Sequence, residues 1–244
     1  MTLAQPRYRA PLLAAAVVLT ACSAAGTSTA PTRTADANPA LVVELYQSQG
    51  CSSCPPAIAN VNAIADRPDV LALTFAVTYW DRLGWKDTFG DPAFTDRQRR
   101  YAVVAGRQGV FTPQVIVNGR TSIVGGRRAE LDAALEATPR LAGGPAIAAN
   151  GSDVTVAARN RPARPATVWL VRYDPRTLRV AIGRGENGGR KIDHRNVVRQ
   201  LTRLGSWNGS ATSFRIGRAV SNGLAGAILV QDGVAGPIFA AHRI

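Results

Sequence analysis

Cysteine is scarce in this chain: three among 244 residues, at positions 22, 51 and 54. That excludes a disulfide-stapled scaffold and an all-thiolate tetrahedral zinc site. The two histidines, His194 and His242, offer too few ligands for a metal centre of their own, and no metal is expected. Long apolar runs are also missing. The stretch Pro11 to Leu19 is too short to span a bilayer as a helix. No nucleotide, haem or flavin motif is present. The glycine-rich Glu186-Asn187-Gly188-Gly189-Arg190 lacks the Gly-Lys-Ser/Thr helix start of a phosphate loop. No cofactor is therefore expected. Acidic residues are in deficit, 16 against 29 basic ones, for a net charge of +13. Such a balance favours anionic lipid heads or polysaccharide. Nucleic acid is not expected as a partner, because no recognition motif accompanies the charge.

Two of the three cysteines stand together in Cys51-Ser52-Ser53-Cys54-Pro55. An apolar run, Leu41 to Tyr46, precedes them and reads as a strand; Pro55 to Asp66 follows and reads as a helix. A C-x-x-C at a strand-to-helix turn points to redox chemistry. The helix N-terminus favours a thiolate at Cys51, the form that attacks a disulfide. Cys54, one turn in, is the candidate resolving thiol. Both sulfurs are expected at a solvent-accessible lip of the fold.

The third cysteine belongs to the N-terminal segment. Arg7 and Arg9 precede the short apolar region, and Leu19-Thr20-Ala21-Cys22 follows it, the layout of a secretory signal. The last four residues resemble the lipobox of bacterial lipoproteins, which implies lipidation of Cys22. The alternative is ordinary cleavage nearby, with Cys22 discarded and the chain soluble and secreted. The expected organisation is a signal over 1–21, a flexible Ser/Thr/Ala/Pro tether over 22–40, one domain over 41–140 and a second over 145–244. The expected location is the periplasm, with a lipid anchor in the inner or outer membrane. Charge supports the internal boundary: residues 40–140 carry 11 basic and 10 acidic side chains, residues 141–244 carry 15 and 5. Leu141-Ala142-Gly143-Gly144-Pro145 lies between them.

The first domain alternates. Strands are predicted at 41–46, 70–79, 115–117 and 121–124, and helices at 55–66, 92–105 and 127–137. Asn118-Gly119 marks a tight hairpin. This order predicts an α/β thioredoxin-like domain. Thr112-Pro113, leading into Val115-Ile116-Val117, resembles the cis proline that thioredoxin-like folds place opposite the C-x-x-C. The second domain reads as short strands with a possible short helix over 195–204, and predicts a smaller β-rich sandwich or barrel.

Val43 through Pro56 resembles the signature of the DUF1223 family, secreted bacterial proteins with a thioredoxin-like core. So do Tyr79 to Asp87, Tyr101 to Gln114, Glu186 to Arg190 and His194 to Val198. The resemblance implies the fold and carries little about activity.

The candidate site residues come from the sequence itself. Cys51, Cys54, Thr112 and Pro113 form the expected catalytic group. Glu44, an acid in a strand expected to be central, is either a buried proton acceptor for Cys54 or the partner of an arginine. Trp80–Phe94 is an insertion rich in aromatics and charges. Trp80 and Asp81 at its start, with Gly50 beside Cys51, are candidate substrate contacts, while its other aromatics are expected to pack the loop down. The leading expectation is an extracytoplasmic thiol-disulfide oxidoreductase acting on protein thiols or disulfides. The alternatives are a copper-handling module using both thiols and a histidine, or a non-catalytic envelope binding protein.

Overall fold

The computed structural model describes residues 1–4, 38–217 and 223–244. Most of the signal segment, Cys22 and the tether up to residue 37 lie outside the described residues. Among the described residues no helix is long and apolar enough to cross a membrane. The described residues from 38 onward belong to one compact unit.

The first half follows the predicted order, with strands β1 (Leu41–Gln47), β2 (Val70–Ala76), β3 (Gln114–Val117) and β4 (Thr121–Ile123). Helices α1 (Cys54–Asn62), α2 (Pro92–Val104) and α3 (Arg128–Ala137) lie between and after them. α2 starts where Asp91 accepts a hydrogen bond from the Ala93 amide at 2.8 Å, with Pro92 in the first turn. Three residues separate the paired Val117 and Thr121; Asn118 at φ 50° and Gly119 at φ 65° are the left-handed centre of a tight turn that the Arg120 amide closes on the Val117 carbonyl at 2.9 Å. A side chain at Gly119 would also meet the Gly236 carbonyl, since its Cβ would lie 2.4 Å away.

The second half adds β5 (Ile147–Asn150), β6 (Asp153–Val156), β7 (Ala166–Asp174), β8 (Leu178–Ala181) and β9 (Lys191–His194). It continues with β10 (Val197–Trp207), β11 (Thr212–Arg215), β12 (Ala225–Asp232) and β13 (Ile238–Arg243). The expected α/β thioredoxin-like domain with a separate, smaller β sandwich or barrel is not the architecture. Among the described residues strand outweighs helix, and eight strands from both halves share one mixed sheet in the order β13-β12-β7-β10-β2-β1-β3-β4. The halves join at the β10–β2 seam, a parallel contact with Val197 opposite Thr74. Asn196 secures it: its side chain donates to the Ala72 carbonyl at 2.9 Å, and its own carbonyl accepts from the Thr74 amide at 3.0 Å.

The core is shared in the same way. On one face Val42, Tyr46 and Phe75 from the first half pack with Trp169, Val171 and Leu229 from the second. The charge step between the halves is thus a surface difference within one sheet, not a division of the core. The opposite face carries two clusters. Val43 and Leu45 meet α1 and α3, while Val168, Leu170, Ile228 and Val230 meet Ile147, Val154 and Val156 of the small sheet β11-β6-β5. The segment expected as a short helix over 195–204 is β10. Two register shifts, between Val198 and Gln200 and between Arg203 and Gly205, break the alternation that would have marked it as a strand.

The hairpin β8–β9 stands apart from the large sheet and lies along α1. Ile182 and Ile192 enter the core around the cysteines. Asn62 of α1 donates to the Asp193 carbonyl at 2.7 Å and accepts from the Arg195 amide at 3.1 Å. The connection between β8 and β9, which holds Glu186 and Asn187, is thereby brought to the start of α1.

Candidate functional site

The site lies where β1 ends and α1 begins. The Cys51 amide donates to the Ser48 carbonyl at 3.1 Å, and the Cys54 amide donates to the Cys51 carbonyl at 3.1 Å, so two tight turns lead into the helix. Ser53 occupies the N-cap without capping through its side chain, and no acid stands in the first turn of α1. The Ser53 hydroxyl instead lies 3.3 Å from Cys51 Sγ and donates to the Thr112 carbonyl at 3.4 Å. Thr112 Oγ1 donates to Cys51 Sγ at 3.3 Å. Trp80 Nε1 in turn donates to Thr112 Oγ1 at 2.8 Å. The indole thus occupies an acceptor position on the hydroxyl and leaves its proton to the sulfur. The Thr112–Pro113 peptide bond is cis, as the sequence suggested.

Both cysteines are free thiols. Their environments drive them apart. The Cys51 thiol is brought down to about 6, first by its hydrogen bond with Cys54 and then, against burial, by Ser53 and Thr112. Burial, reinforced by the neighbouring Cys51, pushes the Cys54 thiol far up. A pair split in this way has one member ready as a nucleophile at neutral pH and one that holds its proton.

Cys51 is not at an open lip, as the sequence reading expected: its exposure is 0 %. Its sulfur lies against Ser53 and Thr112, and the β8–β9 connection is tied to the backbone of the same turn. Asn187, fully buried, donates from Nδ2 to the Gln49 carbonyl at 2.9 Å and to the Cys51 carbonyl at 2.7 Å. Glu186 accepts the Ser52 amide at 3.0 Å. These two residues were not among the sequence candidates. Their only signal was their place in the glycine-rich motif, because their partners lie more than 130 positions away.

The other candidates divide. Trp80 is half-buried and acts on Thr112 rather than facing outward. Asp81 accepts from the Asp87 amide at 3.1 Å and shapes the inserted loop. Gly50 is buried, with its amide on the Ser48 hydroxyl at 3.1 Å. Asp87, also buried, accepts from the Gln49 amide at 2.7 Å, and burial raises its carboxyl to about 6. Trp85 donates to the Gln49 side chain at 2.9 Å. The insertion is therefore sewn to the residues just before Cys51.

Glu44 does not serve Cys54. Strand alternation places it with Val42 and Tyr46, on the face opposite Val43, Leu45 and the cysteines. Its carboxylate receives Arg97 Nε at 2.7 Å and a short hydrogen bond from the Tyr101 hydroxyl. Both members of the Glu44–Arg97 pair are fully buried. The arginine-pair alternative holds, and the proton-acceptor role falls. His194 is buried edge-on against Phe89 at 5.5 Å and is pushed down to about 4 by burial, while His242 meets Asn38 at 2.9 Å. Among the described residues no group of three or more His, Cys, Asp or Glu is placed to hold a metal ion.

A family model described as "Protein of unknown function (DUF1223)" matches residues 42–231. The crystal structure of protein AGR_C_4864 from Agrobacterium tumefaciens is similar at 27% identity and a TM-score of 0.68, over 84% of this chain and 94% of that one. HBP35 of Porphyromonas gingivalis is similar in fold, at 11% identity and a TM-score of 0.52, over 85% of this chain and 75% of that one. No curated protein matches.

Proposed function

We propose that this chain, which belongs to the DUF1223 family, is a thiol-disulfide oxidoreductase that works through Cys51 and Cys54. The observation that carries the reading is the split pair: a Cys51 thiol lowered to about 6 beside a Cys54 thiol raised by burial, with Thr112 donating to the lower one.

The exchange runs as follows. Cys51 thiolate attacks one sulfur of a partner disulfide; the partner's other sulfur leaves as a thiolate with the bonding electron pair and takes a proton from solvent. A mixed disulfide then joins Cys51 to the partner. Thr112 and Ser53, which steadied the anion, now face a neutral sulfur. Cys54 then attacks Cys51 Sγ, and its proton passes to the departing partner sulfur. The partner's second sulfur leaves with the bonding electron pair and ends as a thiol. Two electrons have passed from the Cys51–Cys54 dithiol to the partner, which ends as two thiols. The reverse sequence oxidises a partner dithiol. The partners are protein thiols and disulfides outside the cytoplasm, with Cys22 as the lipid anchor. A copper role has no supporting histidine, since neither ring contacts a cysteine among the described residues.

Cys54→Ser stops the second step. Expressed in cells, the variant should accumulate partners linked to Cys51 and released by reductant. Absence of any such adduct, with the variant folded and exported, would remove the exchange reading.

A further inference from the structure

The exchange chemistry requires a partner sulfur to reach Cys51 Sγ, and in the folded chain Cys51 has no exposed surface. The β8–β9 connection is tied to the turn that carries this sulfur. Asn187 uses both amide protons on the Gln49 and Cys51 carbonyls, at 2.9 and 2.7 Å, and its Oδ1 accepts from Arg190 at 2.9 Å. A buried primary amide with both protons and its oxygen engaged is a firm tie. Glu186, on the exposed side of the same loop, accepts the Ser52 amide at 3.0 Å. From behind, Trp85 packs against the loop. A Cβ at Gly183 would stand 3.1 Å from its ring, so the absent side chain lets the two meet. Trp85 is in turn held by Gln49 at 2.9 Å.

These contacts converge on three residues of one turn, Gln49, Cys51 and Ser52, and are supplied by a loop more than 130 positions later in the chain. The only side chain contact of the loop with the exposed part of the turn is Glu186 on Ser52 among the described hydrogen bonds. The loop is thus attached to the cysteine turn by few bonds, and its two flanking strands are anchored independently, through Ile182, Ile192 and Asn62.

We propose, on the strength of the exchange reading above, that Asn187 and Glu186 are positioning residues that decide which disulfides reach Cys51. Closed, the loop shields the sulfur and fixes the turn that orients it. A macromolecular disulfide reacts only after the loop is displaced, and a small disulfide or alkylating agent needs a smaller displacement. Selection at this site is therefore by the bulk around the attacked sulfur and by the partner's ability to replace the contacts on Ser52 and on the two carbonyls.

The test uses the full chain carrying Cys22→Ser and Cys54→Ser, so that Cys51 is the sole thiol. Its alkylation is timed with iodoacetamide and with a maleimide carried on a large polyethylene glycol, and the ratio of the bulky to the small rate is the readout. Asn187→Ala should raise that ratio about tenfold, and Glu186→Ala about threefold, the factors expected for losing two hydrogen bonds or one. Asn187→Gln, which keeps the amide but not its reach, should fall between the parent and Asn187→Ala. A purely structural role would alter the unfolding midpoint and leave the ratio fixed. An unchanged ratio in Glu186→Ala, whose exposed side chain can be removed without disturbing the core, overturns the proposal even if Asn187→Ala fails to fold. The readout is independent of redox turnover. Disulfide formation is read separately in the chain that keeps Cys54. An unchanged ratio, where that chain still cycles its cysteines, removes the loop's role alone. A raised ratio, where that chain never forms the Cys51–Cys54 disulfide, sustains control of access and removes the exchange reading.

Discussion

Replacing Cys51 with serine should change how stability depends on pH, and the sign and size follow from the site. The folded Cys51 thiol sits at about 6, against an ordinary value of 9.0. A depressed acid stabilises the fold fully above its unfolded value, and that stabilisation is lost as pH falls through the folded one. Between pH 6 and pH 9 each pH unit changes the balance by about 1.4 kcal/mol. The reduced wild type should therefore gain roughly 1 kcal/mol over the acidic limit by pH 7 and roughly 4 kcal/mol by pH 9. Cys51→Ser removes the ionising group and keeps the hydroxyl contacts, so the variant lacks the gain. The assay is urea unfolding of reduced protein, followed by tryptophan fluorescence, at several values from pH 6 to pH 9. The difference between wild type and variant should grow by an amount equal to about 1–2 M in the urea midpoint. Taking the difference cancels the titrating groups remote from Cys51, and Cys54, pushed far up chiefly by burial, keeps its proton in the fold across this range. A difference that stays constant across this range would mean that Thr112, Ser53 and Cys54 do not hold a thiolate at Cys51.

Thr112→Val removes the hydroxyl that donates to Cys51 and should move the pH midpoint of Cys51 alkylation up by about one unit; Trp80→Phe, which acts only through Thr112, should move it in the same direction by less, and a midpoint unmoved in both breaks the relay from indole to hydroxyl to sulfur. Arg97→Met leaves the Glu44 carboxylate buried without its cation and should cost about 3–5 kcal/mol in urea unfolding, whereas the double variant Glu44→Leu, Arg97→Met should recover much of that loss; a single variant within 1 kcal/mol of wild type would show that the pair is not desolvated. Asp87 has a raised folded value of about 6, so its share of stability is complete below its ordinary value of 3.8 and is lost as pH rises through 6. Asp87→Asn should flatten that window, narrowing the gap between stabilities at pH 4 and pH 7 by roughly 2–3 kcal/mol, as chemical denaturation at the two pH values would reveal.

Local chemistry was legible in the sequence, and long-range pairing was not. Cys51 and Cys54, the helix behind them, the Thr112–Pro113 step and the Asn118-Gly119 turn are each encoded within a few neighbouring residues, and each stands where its spacing placed it. The oddity of Glu44 was visible too, but its partner Arg97 lies 53 positions away on α2, and only the fold decides between an ion pair and a proton acceptor. The architecture was misread for the same reason. One register pair, Val197 with Thr74, and the clasp of Asn196 turn what the pattern offers as two domains into one sheet. Short alternating strands carry no mark of which sheet they will join. β10 was hidden further by its two bulges. The tie between this loop and the Cys51 turn is not legible, because a glycine-rich loop with one asparagine reads as a surface turn until α1 and the β8–β9 hairpin bring it to the cysteines.

The most direct measurement is an equilibrium titration of the full-length protein in glutathione redox buffers, with the state of the two cysteines read by mass after acid quenching and alkylation. The account predicts a reversible, two-electron transition between the Cys51–Cys54 dithiol and its intramolecular disulfide, with a single midpoint between about −300 and −120 mV. Two thiols that stay reduced, or that form only adducts with glutathione across that whole range, would contradict it.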